Sequence, residues 1–347
     1  MNGPSLILRH DKAGDAIKSL PALRALKARF PHIELHILVS PHNSSLFEYE
    51  PGLHAHRLPP HWENLKPEVL RDHLANQGMP RAFSRVVSLL CDAFEQNDRL
   101  LMLFPATEKF AVSLWDQSLQ SEITPIPLPQ GTPAGSDECE NIAWILSQAF
   151  CVDLPNVSLP TSGAPVLSEQ DRREADTLMG QKKGVWIGFC PFAGLKNRSH
   201  PATSWERFLQ QVSRTPQLEK IFLFGAPSDC SALEQLQRQC SEPQRVQLCF
   251  PSSFRTLGAY LRRLDGVVAV DSGPLHLART LGLPVLGILS GGDVRRWFAS
   301  LGAHERLLRR GLFNRFPMGW EMTWAFRRWL RQLAPNSQDL PILAVND

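Results

Sequence analysis

Apolar residues fall in short clusters along this chain, and the spacing inside each cluster predicts its element. Ser5–Leu8 is a short apolar run that reads as a buried strand, followed by the polar turn His10-Asp11-Lys12-Ala13-Gly14-Asp15. Ile17, Leu20, Leu23, Leu26 and Phe30 then recur at three- and four-residue steps, which predicts a helix ended by Pro31. Ile33–Val39 alternates apolar and polar and reads as a second strand; Val86–Leu90 and Leu100–Phe104 read as further strands. Proline-rich loops, Pro51–Pro67 and Thr124–Pro133, lie between them. Pro155–Pro165, rich in Pro, Ser, Thr, Gly and Asn, reads as an interdomain linker. Past it, helices are predicted over Ser168–Met179, Ser204–Ser213, Ser231–Gln239, Phe254–Leu264 and Pro274–Leu281. They alternate with strands at Val185–Cys190, Ile221–Phe224, Val246–Leu248, Gly266–Val270 and Pro284–Leu289. The β-α-β rhythm in both halves predicts parallel sheets covered by helices, an α/β fold of two doubly wound domains.

Composition narrows the class. At 347 residues the chain exceeds what one core organises, so two domains of about 150 residues are expected. With 43% hydrophobic and 20% charged residues it is globular, not disordered or coiled-coil. A net charge of +3 gives no reason to expect nucleic-acid binding. The longest apolar stretch, Leu281–Leu289, is broken by Gly282, Pro284 and Gly287, well short of the ~20 residues a membrane span needs. Met1 leads directly into a strand-like segment, so no signal peptide is expected. Seven scattered cysteines without a C-x-x-C predict small buried side chains in a reducing cytosol, with neither disulfides nor a zinc site.

In an open parallel sheet, ligands bind beyond the carboxyl ends of the strands, which singles out three strand-to-helix turns. In the first, Val267–His276, a strand ends at Asp271; Ser272 suits an N-cap, Gly273 clears room for a ligand, and Pro274 suits the first helical position. Helix amides and dipole there suit a phosphate, with His276 in the first turn as a further donor. The plain alternative is a well-capped helix. The second turn, Cys190–Pro201, follows a strand; the backbone at Ala193 and Gly194 and the cations Lys196 and Arg198 suit a diphosphate, unless it is only a solvated loop. In the third, Lys12 and Gly14 lead to Asp15, a carboxylate placed either to accept a proton or simply to favour a helix dipole. Neither G-x-G-x-x-G after the first strand nor G-x-x-x-x-G-K-[ST] occurs, and there is no D-x-D to chelate a metal–diphosphate, so no cofactor and no metal are expected.

These motifs resemble a known family. Leu6–Leu26, with its Gly-Asp turn and "LPALRAL" helix, is similar to the opening of glycosyltransferase family 9, the ADP-heptose:lipopolysaccharide heptosyltransferases. Gly266–Leu281 resembles that family's "Asp-Thr-Gly-Pro-Leu-His-Leu-Ala" motif, and Pro191–Pro201 its "P-G-A-G-x-x-x-K-x-W-P" loop. Arg198 replaces the usual lysine, His200 the usual tryptophan, and Ser272 the usual threonine. The resemblance implies a GT-B fold of two Rossmann-like domains facing across a cleft. Residues 1–160 would bind the acceptor and 167–320 the nucleotide sugar; apart from the resemblance, the apolar stripe within 321–347 reads as a helix packed back on the N-terminal domain, followed by a tail. It implies inverting, metal-independent transfer of a heptose or related sugar, ADP-heptose being the expected donor, to a lipopolysaccharide-core or other glycan hydroxyl. Asp15 would be the base; Ala193, Gly194, Lys196, Arg198, Asp271, Ser272, Gly273 and His276 would hold the donor; Lys12 and Gly14 would meet the acceptor. The alternatives are a catalytically silent nucleotide-sugar-binding protein and a nucleotide-sugar epimerase.

Residues 294–331 carry nine arginines against two glutamates, interleaved with Trp297, Phe313, Phe316, Trp320, Trp324, Phe326 and Trp329. Two compatible readings fit: contact with an anionic glycolipid at the inner membrane face, or an internal stripe of Met322, Phe326, Trp329, Leu330 and Leu333. The protein is expected to be cytoplasmic, with or without that peripheral contact.

Overall fold

The computed structural model describes residues 3–129, 137–155, 163–194, 200–290, 298, 301–309 and 317–333. Two six-stranded sheets form, every paired strand running parallel. The first contains β1 (Ser5–Arg9), β2 (Leu35–Val39), β3 (Leu53–Arg57), β4 (Phe83–Ser88), β5 (Ala106–Ala111) and β6 (Thr124–Pro125), in the order β3-β2-β1-β4-β5-β6. The second contains β7 (Val185–Cys190), β8 (Leu218–Phe224), β9 (Val246–Cys249), β10 (Gly266–Val270), β11 (Val285–Ile288) and β12 (Glu305–Leu308), in the order β12-β11-β10-β7-β8-β9. Each half therefore repeats the 3-2-1-4-5-6 order of a Rossmann sheet, and its ligand crevice lies where the order reverses. Those switch points fall between β1 and β4 and between β7 and β10.

The central strands are buried on both faces, which is why they read as apolar runs instead of alternating. All five residues of β1, β2 and β10 are buried. The predicted first helix is two: α1 (Ala13–Ile17) and α2 (Leu20–Arg29). Leu100–Phe104, expected as a strand, belongs instead to helix α4 (Glu95–Leu103), preceded by α3 (Pro67–Ala75). A short apolar run does not reveal its own period; here Glu95 and Asp98 suit a first helical turn, and Leu100, Leu101 and Leu103 cover the sheet. β3 lies inside the expected Pro51–Pro67 loop. Its alternation is masked because histidines fill inward positions: His36 Nδ1 and His56 Nε2 are 2.8 Å apart, and burial with the neighbouring His36 pushes His56 down to about 4.

The later helices are α5 (Glu138–Phe150), α6 (Glu169–Met179), α7 (Ala202–Val212), α8 (Cys230–Gln239), α9 (Phe254–Leu261), α10 (Gly273–Thr280) and α11 (Gly319–Leu333). The capping box at Ser168 starts α6. The two halves meet through α1 against α10 and through the turn Ser44–Leu46 against α9. At the second contact Arg255 of α9 donates to Glu48 of the first half and to Asp171 of the second, its guanidinium 4.3 Å above the Tyr49 ring. Of the expected linker, residues 156–162 lie outside the described residues; Ala164 O accepts from Arg24 Nη2 at 2.8 Å. All seven cysteines are free, four of them buried, while Cys151 is exposed, contrary to the expectation that all would be buried.

α11 does not pack back on the N-terminal half as expected. Its stripe of Met322, Phe326, Trp329 and Leu330 joins Ile187, Phe189, Val268 and Ile288 in the core of the second half. The stripe is the predicted one, but its partner is the sheet face beside α7, where Phe326 lies 5.9 Å from Phe189 and 5.8 Å from Phe208. Gly266 makes room: a Cβ there would stand 2.5 Å from the Trp329 ring. Phe326→Ala is expected to cost ~3–5 kcal/mol in chemical denaturation. A loss below ~1 kcal/mol would show that α11 is not part of this core.

Candidate active site

The site is built where the two switch points face each other. β1 ends at Arg9, whose side chain is wholly buried, and Lys12, in extended conformation, starts α1. β10 ends at Val270, and Ser272, also extended, starts α10. The two first turns touch. A Cβ on Gly14 would lie 3.2 Å from both Gly273 Cα and His276 Cδ2; one on Gly273 would lie 3.4 Å from Gly14 N and 2.9 Å from Phe254 Cζ. Two glycines thus let backbone approach backbone, bringing together Asp15, Asp271, Ser272 and His276.

Ser272 does not cap its helix with its side chain as expected. The hydroxyl donates back to Val270 O at 3.0 Å, and no side-chain cap closes α10. A β-strand residue supplies the nearer acceptor, and the helix end is left for other partners. Asp271 is 5% exposed, with Oδ1 3.6 Å from His276 Nε2. His276 is buried and stacks on Phe298 at 5.4 Å. Burial first, then the Lys18 charge, push it down to about 4, although Asp271 pulls the other way. At neutral pH His276 is therefore a neutral hydrogen-bonding imidazole, not a cation. One turn on, Arg279 Nε donates to both Glu305 oxygens at 3.1 Å.

The second turn starts beside the first, because Cys190 is paired with Ala269. Ala193 is half-buried against the core of its half, and Gly194 is exposed with open space around it. Lys196 and Arg198 lie outside the described residues. His200 is buried; its Nε2 donates to Ile288 O at 3.1 Å, which ties this residue to the end of β11. Burial pushes it down to about 4, so it stays neutral.

Three charged residues here escaped the sequence reading. Arg9 donates to Leu89 O at 2.9 Å and to Asp15 O, and faces Asp11 at 3.3 Å and Glu138 at 3.9 Å. Lys18 is 1% exposed and pushed down to about 8 by burial. Arg9 has a local signal, a charge ending an apolar run; Glu138, more than a hundred residues away, has none. Among the described residues, no group of three or more His, Cys, Asp or Glu is arranged to hold a metal ion, and no helix is long and apolar enough to cross a membrane.

The glycine contact sets opposing terms for substitution. Alanine inside a helix gains ~1 kcal/mol over glycine, but overpacking a closed contact costs ~1–3 kcal/mol. Since Gly273 Cα and the buried His276 ring have little room to retreat, Gly14→Ala should be net destabilising in thermal unfolding. Gly194→Ala should stay within ~0.5 kcal/mol. Equal stability of the two variants would show that the halves do not meet at Gly14.

Known proteins share this fold. Residues 142–302 match the family model described as glycosyltransferase family 9 (heptosyltransferase), a stretch that includes the turns after β7 and β10 but not that after β1. No curated protein matches the chain by sequence. Several solved structures share its fold. The glycosyltransferase family 9 protein of Veillonella parvula superposes with a TM-score of 0.76 at 16% identity, covering 95% of this chain and 98% of its own. E. coli ADP-heptose lps heptosyltransferase II gives 0.72 at 16%, covering 95% and 99%. E. coli heptosyltransferase WaaC, solved with ADP-2-deoxy-2-fluoro heptose, gives 0.69 at 14%, covering 95% and 99%. The paired Rossmann-type sheets and the match of residues 142–302 make the second half of the chain similar to glycosyltransferase family 9, the heptosyltransferase family.

Proposed function

We propose that the protein is an inverting, metal-independent glycosyltransferase that moves a heptose or a closely related sugar from a nucleoside diphosphate, ADP-heptose fitting best, to a hydroxyl of an anionic glycan or glycolipid acceptor. The observation that carries the reading is the contact of the α1 and α10 first turns, which sets a carboxylate opposite an uncapped helix N-terminus at two facing switch points. The heptose is argued from the family description and from the WaaC structures, solved with ADP and with a fluorinated ADP-heptose.

The residues divide the chemistry. As the anomeric carbon leaves the diphosphate, negative charge grows on the leaving oxygen. The α10 dipole, its amides and the neutral His276 imidazole stabilise that charge. Asp271 and Ser272 shape the turn, and the backbone at Ala193 and Gly194 lies beside it. Lys196 and Arg198 would supply the cations of this loop. Asp15 accepts the proton of the attacking hydroxyl from the opposite domain, with Lys12, exposed beside it, and Gly14 on the acceptor side.

The reading of a membrane-held acceptor has a second support, on the donor half. The outer face of α11 exposes Trp320 and Trp324, 62% and 60% accessible, together with Arg327, Arg328 and Arg331. Aromatic rings beside arginines suit the headgroup level of an anionic membrane, where a lipid-linked acceptor resides.

Two measurements test this reading. Asp15→Asn should lower transfer by ~10²–10⁴-fold with donor affinity unchanged, since losing a first-turn charge costs only ~0.3–1 kcal/mol of stability. His276→Ala should weaken donor binding, and transfer should persist in excess EDTA. A folded Asp15→Asn protein with wild-type transfer removes the base. Donor turnover without acceptor favours an epimerase, and donor binding without turnover a silent binding protein. On vesicles, the chain should sediment with phosphatidylglycerol-containing bilayers at low salt but not with neutral ones, and Trp320→Ala/Trp324→Ala should abolish this. Equal behaviour on both lipids would overturn the membrane contact.

A further inference from the structure

Three histidines lie together on the outer strands of the first sheet, outside the site described above. His36 of β2 sits across from His54 of β3 in the strand pairing, and its ring stacks on His54 at 4.9 Å and on His56 at 5.1 Å. His36 and His56 are each 3% exposed, whereas His54 is exposed. Two hydrogen bonds fix where the protons are. A carboxylate only accepts, so His36 Nε2 carries a hydrogen and donates to Glu34 Oε1 at 3.0 Å. Burial keeps His36 neutral against the pull of Glu34, so its Nδ1 is bare and accepts from His56 Nε2 at 2.8 Å. That leaves His56 Nδ1 bare as well, and it is buried with no hydrogen-bond partner among the described residues. A proton added to this pair has one destination. Placed on His56, it sits on Nδ1. Placed on His36 Nδ1, it reverses that bond, so His56 Nε2 must accept and the His56 hydrogen moves to Nδ1. Either way a buried N–H without an acceptor is created, which is costly. The elements packed around the pair offer no relief. On α3, Glu68, Arg71, Asp72 and His73 are exposed, with Arg71 Nε donating to Leu103 O and His73 Nε2 meeting Arg57 O. On α4, Asp98 accepts from Asp116 N and Arg99 donates to Glu63 O and Leu65 O. On β4, Arg85 pairs with Glu108, and β1 places Leu6 beside His36. Glu34 and His54 are the titratable neighbours that bear on the pair.

We propose that the His36–His56 hydrogen bond is a proton-sensitive fastening of the edge strand β3 to β2: it holds while both imidazoles are neutral, and mild acid opens it by drawing β3 off the sheet, where both rings take protons in water. β3 ends the order β3-β2-β1-β4-β5-β6, so it leaves without breaking a second strand pairing. The chain runs on from β3 through the buried Leu58 to Trp62, whose ring meets His10 of the turn after β1 edge-on at 5.5 Å. Loss of β3 therefore removes a support from that turn. Burial, then the facing imidazoles, push His56 down to about 4. A histidine held below its unfolded value of ~6.5 contributes its full stability above ~6.5 and loses it as the pH falls toward the folded value.

Two measurements on the full chain test this. ¹⁵N NMR of the histidine rings should find the hydrogen on Nε2 of both His36 and His56 at neutral pH, and His56 still neutral at about pH 6, where a model-peptide histidine is mostly charged. Hydrogen exchange, corrected for its intrinsic rate, should show β3 amides opening more between about pH 6 and about pH 5, by roughly five- to tenfold for each histidine that gains a proton. β9, an edge strand of the second sheet without a histidine, should not change. His56→Gln keeps an N–H donor where Nε2 stands and cannot titrate. Its β3 should open as little as the wild type at neutral pH, and its rise in acid should shrink by at least the factor of one histidine. A hydrogen on His56 Nδ1 at neutral pH, a charged His56 at about pH 6 in the folded chain, or acid opening of β3 no greater than that of β9 overturns the proposal. So does an unaltered acid response in His56→Gln. If that variant folds poorly, the wild-type ring hydrogens and the comparison of β3 with β9 decide by themselves.

Discussion

The backbone-to-backbone contact of Gly14 with Gly273 is the constraint on which the site depends. A side chain at Gly14 would crowd Gly273 and the His276 ring, and one at Gly273 would crowd Phe254, so either would push against the approach of α1 to α10. The two sheets alone place their switch points at facing ends, but they do not bring two particular turns within contact. The glycines do that, and they fix which residues share the cleft: Asp15 from one side, Asp271 and His276 from the other.

Around that contact the protein buries charge on an unusual scale. Arg9, Lys18, Asp271, His276 and Arg279 are each 5% exposed or less. The arginines are matched by carboxylates, Arg9 by Asp11 and Glu138 and Arg279 by Glu305. His276 answers burial differently, by remaining neutral beside Lys18. A site so enclosed keeps its dipoles oriented before a ligand arrives, and each interaction is stronger there than in water.

Much of this was legible in the chain. The buried central strands announced themselves as apolar runs, and the turns at Arg9–Asp15 and Asp271–His276 carried their glycines and polar residues at the ends of those runs. What remained hidden follows from physics that acts between distant residues. Leu100–Phe104 has no readable period, so its helix depended on what it covers. β3 was concealed by its histidines, the buried His56 and the exposed His54, which stack on His36 only once β2 lies beside them. The stripe of α11 was visible, but a stripe does not name its partner. Ser272 was identified as a cap by type, yet its hydroxyl chose the Val270 carbonyl. Glu138 reaches Arg9 only through the fold.

The second contact between the halves bears on how the first is held. Gly14 and Gly273 stand backbone to backbone, which leaves no room for another group between those two turns. Arg255 holds the halves together elsewhere, bonded to Asp171 on one side and to Glu48 on the other, with its guanidinium lying on Tyr49. The neighbouring Phe254 meets Gly273, so α9 is tied both to the first half and to the turn that meets α1, and one helix couples the two contacts between the halves.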